Sequence, residues 1–207
     1  MPHDSSPPEL TADEAAHSAR LTHRIHDAID ASGGWISFER FMEMALYEPG
    51  LGYYSAGSVK IGQDGDFVTA PEVSSLFGRC LAMQCAEVLD RIRGGDILEL
   101  GAGSGTMAAD ILAELAARNC MPERYLILEV SADLRERQQQ TLAARVPELL
   151  PRVTWLDQLP TGLRGVVLAN EVLDALPVQR FSIRSGRVNA VGVTWQLGRL
   201  DWSEVHA

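Results

Sequence analysis

The stretch Glu99-Leu100-Gly101-Ala102-Gly103-Ser104-Gly105 decides the fold that this sequence predicts. It follows the apolar pair Ile97-Leu98, and a helical pattern begins directly after it at Thr106 and continues to Ala117. An apolar strand, a glycine-rich turn and a helix start are together typical of the first strand–helix unit of a nucleotide-binding α/β sheet.

The spacing within this turn separates two kinds of nucleotide ligand. Glycines stand at every second position, whereas dinucleotide-binding turns have the spacing Gly-x-Gly-x-x-Gly. The carboxylate of Glu99 lies two residues before the first glycine. A dinucleotide brings a pyrophosphate, which favours helix-terminal amides and no nearby carboxylate, whereas S-adenosylmethionine brings a cationic sulfonium and ammonium. The turn therefore predicts S-adenosylmethionine as the cofactor, and the alternative, a nicotinamide-dependent oxidoreductase, fits the spacing badly.

Three further apolar runs alternate with helical patterns and extend the predicted sheet. They cover residues 125–130, 153–156 and 165–170. Strands joined by helical crossovers predict a parallel α/β sheet. After Pro177 the pattern changes to residues 181–184, a Ser185-Gly186 turn and residues 188–195, which predicts an antiparallel β-hairpin added to this core.

The residues before the sheet predict helices and one long loop. A capping box beginning at Thr11 opens a first helix, and Ser37 caps a second. Glycines punctuate residues 50–70, which predicts a functional loop, and Pro71 then starts a helix that continues to about Arg91. We therefore expect a flexible N-terminus at residues 1–10, a helical and lid region at 11–93, and the sheet with its hairpin at 94–207.

Charge and composition exclude several classes of partner. A net charge of −10 argues against nucleic acid, which needs a basic face. The three cysteines show no metal-ligand spacing. His23 and His26 share a helix face, but no Cys or Asp pattern completes a site with them, so we expect no metal site and reduced thiols. No apolar run is long enough for membrane insertion, and the first ten residues resemble neither a secretory signal nor a transit peptide. We expect a cytoplasmic, bacterial-type protein.

Polar side chains follow each of the four predicted strands, where ligands bind in open parallel sheets. Glu129, after the second strand, can bind two ribose hydroxyls, and Asp157, after the third, can accept from an adenine amino group. Asn170-Glu171 ends the fourth strand, which in this architecture faces the transferred methyl group. Each acid alone also fits a solvated turn, but four polar strand ends together favour a nucleoside ligand.

Further acids are candidates for holding a methyl acceptor. Glu171 and Asp174 can hold an amine or, better, a guanidinium, whose planar fork matches paired carboxylates; alternatively they complement a helix dipole. Thr69 and Glu72 lie where the loop meets the next helix, and serve either a lid over the cofactor or only a cap and a first-turn acid. The run Gln138-Gln139-Gln140 fits a solvated helix face.

Four motifs occur in an order that resembles one protein family. They are Gly65-Asp66-Phe67-Val68-Thr69-Ala70-Pro71-Glu72 with Phe77-Gly78, the turn from Glu99 to Thr106, Glu129-Val130-Ser131, and Asn170-Glu171-Val172-Leu173-Asp174-Ala175-Leu176-Pro177. The sequence resembles the MidA-like S-adenosylmethionine-dependent methyltransferases, the family of the mitochondrial complex I assembly arginine methyltransferase and its bacterial relatives. The resemblance covers about residues 35–195.

This resemblance implies an α/β class I methyltransferase fold, which is Rossmann-like, with extra N-terminal helices over the cofactor. It implies that the turn glycines line the methionine and adenosine and that Glu129 takes the ribose. The candidate cofactor-binding residues are then Glu99, Gly101, Ala102, Gly103, Gly105, Glu129, Asp157, Asn170 and Thr69. The candidate catalytic residues are Glu171, Asp174 and Glu72.

Family members are longer than this chain, and the class I sheet has more than four parallel strands. We therefore expect a sheet that is incomplete after its fourth strand. Either the chain is a fragment or a truncated gene product, or a second chain supplies the rest. A homodimer is a separate expectation. The resemblance implies methyl transfer to a protein arginine, with a respiratory complex I subunit as the substrate. The alternative is a non-catalytic assembly factor that binds such a subunit and retains cofactor binding.

Overall fold

The computed structural model describes residues 10–55 and 69–206, in two compact units. One unit contains residues 10–55 and 176–206, and the other contains residues 69–175. The helices are α1 (Ala12–Ala31), α2 (Phe38–Tyr47), α3 (Ala70–Val73), α4 (Ser75–Ile92), α5 (Thr106–Ala117) and α6 (Ala132–Arg145). The strands are β1 (Ile36–Ser37), β2 (Asp96–Leu100), β3 (Tyr125–Leu128), β4 (Val153–Leu156), β5 (Gly165–Ala169), β6 (Arg180–Arg184), β7 (Arg187–Gln196) and β8 (Arg199–His206).

Parts of two sequence predictions fall outside the described residues. They are residues 1–9 of the N-terminus predicted to be flexible, and residues 56–68 of the predicted loop, with Asp66 of the first family motif. The division of the chain at residues 10 and 93 stays a prediction. The two compact units follow spatial contacts instead, and these join the C-terminal strands to the N-terminal helices.

The predicted parallel sheet is confirmed, with the strand order β4-β3-β2-β5. Ile97 on the inner strand β2 is level with Tyr125 on β3 and with Val166 on β5. Side chains of β2 and β3 are buried on both faces of the sheet, which explains why these strands read as nearly continuous apolar runs. Because all four strands are parallel, their carboxyl ends meet at one edge, where ligands bind in such sheets.

A left-handed glycine joins this sheet to α5. Gly105 is the N-cap of α5 with a φ of 84°, and its N–H donates to the carbonyl of Ala102 at 2.8 Å. A Cβ atom at Gly105 would lie 3.0 Å from the Cα atom of Gln138 on α6. Both the backbone conformation and the close approach of α6 therefore require glycine here.

The strand β5 is an edge strand. Among the described strands it pairs only with β2, and its Val167 side chain is 53% exposed. Within the described chain the parallel sheet therefore has four strands, as the sequence predicted.

The C-terminal strands form more than the predicted hairpin. The strands β6 and β7 pair as expected, with Ser185-Gly186 as the turn between them. However, β8 pairs along the other edge of β7, and β1 pairs with β7 next to β6, so the hairpin belongs to a four-stranded antiparallel sheet. Sequence patterning misses β8 because most of its side chains are exposed and it carries little apolar alternation.

A small apolar core holds the N-terminal helices on this antiparallel sheet. Its buried members are Ile25, Ile29, Ile36, Met44 and Val193. The capping box predicted at Thr11 is present at the start of α1, and Ser37 caps α2 through the N–H of Arg40 at 3.1 Å. Of the helices within residues 10–55 and 69–206, none has the length and apolar character needed to cross a membrane.

The helix predicted from Pro71 to about Arg91 is two helices. Pro71 lies in the first turn of α3, as predicted, but Ser74 has an extended backbone that ends this helix. The Ser74 hydroxyl accepts from the N–H of Leu76 at 3.2 Å and so caps α4. Serine competes for backbone hydrogen bonds in this way, which makes it a common point for a helix to end and restart.

Replacing Gly105 by alanine should lower the free energy of unfolding by about 1–3 kcal/mol, because left-handed backbone and the approach of α6 both oppose a Cβ atom. Chemical denaturation measures the loss. The matched control is Gly162→Ala in the same unit, where φ is 71° but no atom lies within 4 Å of the added Cβ. Equal losses in the two variants would show that the contact with α6 does not require glycine.

Candidate active site

The parallel sheet brings the strand-end candidates to one edge of a single compact unit. Glu99 lies in β2, while Glu129 follows β3, Asp157 follows β4 and Asn170-Glu171 follows β5. Neighbouring strands pair in parallel along their whole length, so these residues stand side by side at the carboxyl ends. The roles assigned to them from the sequence stay predictions.

The glycine turn presents bare backbone at this edge. Gly101 and Gly103 have positive φ values of 57° and 56°, which side chains rarely adopt. The N–H of Gly101 donates to the carbonyl of Leu128 at 2.9 Å, which ties the turn to the end of β3. A Cβ atom at Gly101 would lie 3.3 Å from Val172, and Ala102 is buried. In the turn, Gly101 is therefore exposed and Gly103 half-buried, while Ala102 and the contact with Val172 are closely packed.

Glu99 is a buried acid behind the turn. Its side chain is 1% exposed, and one carboxylate oxygen, Oε2, accepts from the hydroxyl of Tyr125 at 2.5 Å. The other oxygen, Oε1, is buried and has no hydrogen-bond partner within the described residues. Burial raises the pKa of Glu99 to about 7; the Tyr125 hydrogen bond opposes this rise, and the charge of Glu129 adds to it. A cationic ligand group nearby would stabilise the ionised form.

Glu129 is a second buried acid, and its carboxylate is held on both oxygens. Oε1 accepts from the N–H of Ser131 at 3.0 Å, and Oε2 accepts from the amide of Gln138 at 3.1 Å. Burial raises the pKa of Glu129, while these hydrogen bonds and the charge of Arg135 oppose the rise. The carboxylate therefore has a defined orientation before any ligand binds.

The prediction of a solvated face for the run Gln138–Gln140 is wrong for Gln138, which is completely buried. Gln139 and Gln140 are exposed as predicted. Gln138 lies four residues from Leu134 and from Leu142, so it shares the inward stripe of α6. That spacing is the sequence signal that identifies it.

Arg135 is a second residue that sequence reasoning missed. It donates to the backbone carbonyls of Glu129, at 2.7 Å, and of Leu156, so it joins the ends of β3 and β4. It also pairs with the carboxylate of Asp157 at 2.8 Å. Arg135 lies one helical turn after the N-cap Ser131, and helical side chains point back towards the N-terminus, which is the available sequence signal. Asp157 itself remains 91% exposed.

Glu72 lies against the glycine turn. It accepts a hydrogen bond from the hydroxyl of Ser104, and this hydroxyl also contacts Thr106 at 2.8 Å. The structure therefore brings α3 to the start of α5. Thr69 is the N-cap residue of α3, and its side chain makes no capping hydrogen bond. Its role, as a cap or in a lid over the cofactor, stays a prediction.

The segment after β5 is exposed and conformationally unusual. Glu171 is exposed and has a φ of 52°, the left-handed region that non-glycine residues rarely occupy. Asp174 is exposed in a three-residue 3₁₀ helix, Leu173–Ala175, and Asn170 is half-buried. Only this short helix follows, so the alternative of acids complementing an α-helix dipole loses its basis.

Three potential metal ligands come together on α1. Ligand atoms of His23, His26 and Asp27 lie within 4.8 Å of one another, and sequence reasoning did not pair Asp27 with the histidines. The prediction that no aspartate completes a site with His23 and His26 is therefore wrong, because one helical turn brings Asp27 beside both. The expectation that the protein holds no metal stays a prediction.

A family model described as "Putative S-adenosyl-L-methionine-dependent methyltransferase" matches residues 80–206, more than half of the chain. The chain belongs to this family. The matched range contains the glycine turn and all four strand ends, so the resemblance found in the motifs is confirmed together with the class I fold.

Relatives of known name agree with this assignment. The mitochondrial protein arginine methyltransferase NDUFAF7 of Mus musculus is 33% identical to this chain, and the match covers 83% of this chain and 45% of the mouse protein. Human NDUFAF7 is 32% identical to this chain, and the match covers 72% of this chain and 40% of the human protein. A solved structure from Burkholderia thailandensis is described as a "likely methyl transferase" bound to S-adenosyl-homocysteine. It has a TM-score of 0.89 and 41% sequence identity to this chain, and the match covers 98% of this chain and 54% of the Burkholderia chain. This chain spans about half the length of these family members or less.

Replacing Glu99 by glutamine should change the pH dependence of stability. The folded-state pKa, about 7, is above the ordinary 4.5, so the folded state binds the extra proton between these values and the free energy of unfolding falls as pH rises through them. The variant should lack this pH dependence. Between pH 4.5 and pH 8 its free energy of unfolding should therefore rise by up to about 3 kcal/mol relative to that of the wild type.

Urea denaturation at intervals across this range measures the difference. Glu148→Gln, which changes an exposed acid in the same unit, is the control and should follow the wild type. If the curves of Glu99→Gln and the wild type stay parallel, Glu99 is ionised at neutral pH.

Proposed function

We propose that this chain binds S-adenosylmethionine at the carboxyl edge of the parallel sheet and transfers its methyl group to a protein arginine. The observation that carries the proposal is the pairing of a glycine turn in left-handed backbone with a buried acid, Glu99, whose Oε1 has no partner among the described residues. Such a site suits a cationic ligand without phosphates. Because the chain spans about half of its relatives, activity of this chain alone is part of the proposal.

The proposed cofactor contacts follow the order of the strands. The turn Gly101-Ala102-Gly103 approaches the methionine part, with Gly105 at the start of α5 and Glu99 supplying negative charge from behind. Glu129 takes the ribose hydroxyls, and Asp157 takes the adenine amino group. Asn170 and Thr69 complete the proposed contacts. When bound, the cofactor would supply a methyl group on cationic sulfur. A nitrogen lone pair can attack the methyl carbon in line and displace the sulfur as the neutral thioether.

The proposed acceptor site is the exposed segment after β5. Glu171 and Asp174 provide two carboxylates for a guanidinium, and Glu72 lies against the turn through Ser104. In the reaction a nitrogen–carbon bond forms as the sulfur–carbon bond breaks, and the nitrogen loses a proton to water or to a carboxylate. The carboxylates orient the nitrogen and stabilise the cationic product.

The names of the relatives support a protein arginine as the acceptor, since those proteins are described as protein arginine methyltransferases. A respiratory complex I subunit is the proposed substrate from the family resemblance. The acidic net charge suits a basic peptide. A cytoplasmic location is proposed as well, and the free thiols Cys80, Cys85 and Cys120 are consistent with a reducing compartment. The expected homodimer stays a prediction.

Calorimetric titration with S-adenosyl-homocysteine tests the cofactor site. The wild type should bind, and Glu129→Gln should weaken binding by about 10- to 100-fold, since hydrogen bonds from two ribose hydroxyls to a carboxylate are weakened. Glu148→Gln should bind like the wild type. No heat of binding at millimolar ligand would reject cofactor binding by this chain.

Transfer of label from methyl-labelled S-adenosylmethionine to arginine-containing peptides and candidate subunits tests the reaction. Glu171→Gln should reduce the transfer rate by about 10- to 1,000-fold, because the neutral amide stabilises the guanidinium less. Its affinity for S-adenosyl-homocysteine should be unchanged.

Matched lysine peptides and Glu148→Gln serve as controls for this assay. Label on lysine peptides instead would reject arginine as the acceptor. Cofactor binding and subunit binding without any transfer would support the alternative of a non-catalytic assembly factor.

A further inference from the structure

Gln138 is a buried amide on α6, next to the carboxyl edge of the parallel sheet. It has no exposed surface, although it stands in a run of three glutamines whose other two members are exposed. Burial of an amide is unfavourable unless its hydrogen bonds are satisfied. The partners of Gln138 therefore decide whether it serves the site or only fills space.

The partners of Gln138 come from three successive strand ends. Its Nε2 atom donates to the carbonyl of Gly103 and to Oε2 of Glu129, both at 3.1 Å. Its Oε1 atom accepts from the indole N–H of Trp155 at 2.9 Å. One side chain thus joins the glycine turn after β2, the acid after β3 and the aromatic residue in β4.

The chemistry of these partners permits only one orientation of the amide. The indole N–H of Trp155 can only donate, so it must face the amide oxygen. The carbonyl of Gly103 can only accept, so it must face the amide nitrogen. The Glu129 carboxylate therefore always meets a donor, and a flipped amide would lose all three hydrogen bonds.

The fixed orientation of the Gln138 amide holds Oε2 of the Glu129 carboxylate in place. Ser131 N–H holds Oε1 and Gln138 holds Oε2, so both oxygens are placed before a ligand arrives. Each carboxylate oxygen can accept more than one hydrogen bond, so each keeps capacity for a ligand hydroxyl. Two oxygens placed in this way match the two neighbouring hydroxyls of a ribose.

We propose that Gln138 is a positioning residue that orients Glu129 for both ribose hydroxyls, and that it thereby makes the site select ribonucleoside ligands over deoxyribonucleoside ones. The inference rests on the proposed binding of S-adenosylmethionine at this edge. It adds a residue that touches no ligand but sets the selectivity of one that does.

The test compares the dissociation constants of S-adenosyl-homocysteine and of its 2′-deoxy and 3′-deoxy analogues by calorimetry. The wild type should prefer the parent compound by about 10- to 100-fold over each analogue, because each analogue lacks a hydroxyl that bonds to a carboxylate. In Gln138→Met, which has a similar volume and makes none of the three hydrogen bonds, the preference should fall to about threefold or less.

A control variant separates positioning from a general effect of substitution on α6. Gln139→Met changes the exposed neighbour and should keep the full preference. If Gln138→Met does not fold, Gln138→Asn carries the test, because its shorter amide cannot reach both Glu129 and Gly103.

The outcomes distinguish this inference from the proposed function. If the wild type does not bind S-adenosyl-homocysteine, the proposed function fails. If the wild type binds it and the Gln138 variants weaken all three ligands equally, Gln138 has only a structural role and the inference is overturned. A preference retained in both Gln138 variants would overturn it as well.

Discussion

The chain reversal between β2 and α5 is the constraint on which the parallel-sheet unit depends. Within a few residues the chain must leave an inner strand, expose backbone at the sheet edge and start a helix that packs beside α6. Gly105 meets this requirement with left-handed backbone, and α6 lies so near that a Cβ atom would be 3.0 Å from Gln138. The close approach in turn lets the Gln138 amide reach the carbonyl of Gly103.

Two buried acids, Glu99 and Glu129, lie near this turn, and the charge of Glu129 affects Glu99. Burial raises the pKa of both Glu99 and Glu129, and the charge of Glu129 raises that of Glu99 further. Glu99 has one hydrogen-bond donor, Tyr125, while Glu129 is held on both oxygens. A cationic ligand at this edge would stabilise the ionised form of both acids, whereas a phosphate would oppose it.

The local signals in the sequence were strong where one residue determines the backbone. The capping residues Thr11 and Ser37, the glycine turn and the apolar runs of the inner strands all predicted the observed elements. Prediction from the sequence was weaker for elements whose formation depends on residues distant in the chain. The strand β8 is mostly exposed and carries little apolar alternation, and Ser74 divides a helix that reads as continuous. Neither the strand β8 nor the helix break at Ser74 produces a periodic apolar pattern in the sequence.

The sequence by itself determined the class of the fold, the family and the strand ends at which we propose that a ligand binds, because glycine spacing and apolar runs act locally along the chain. Only the tertiary structure decided how the acids at those ends are held. Gln138 and Arg135 read as ordinary polar residues of a helix, yet packing of α6 on the sheet buries one and aims the other at two strand ends. Such partners are distant in sequence, and the fold alone brings them within hydrogen-bond range.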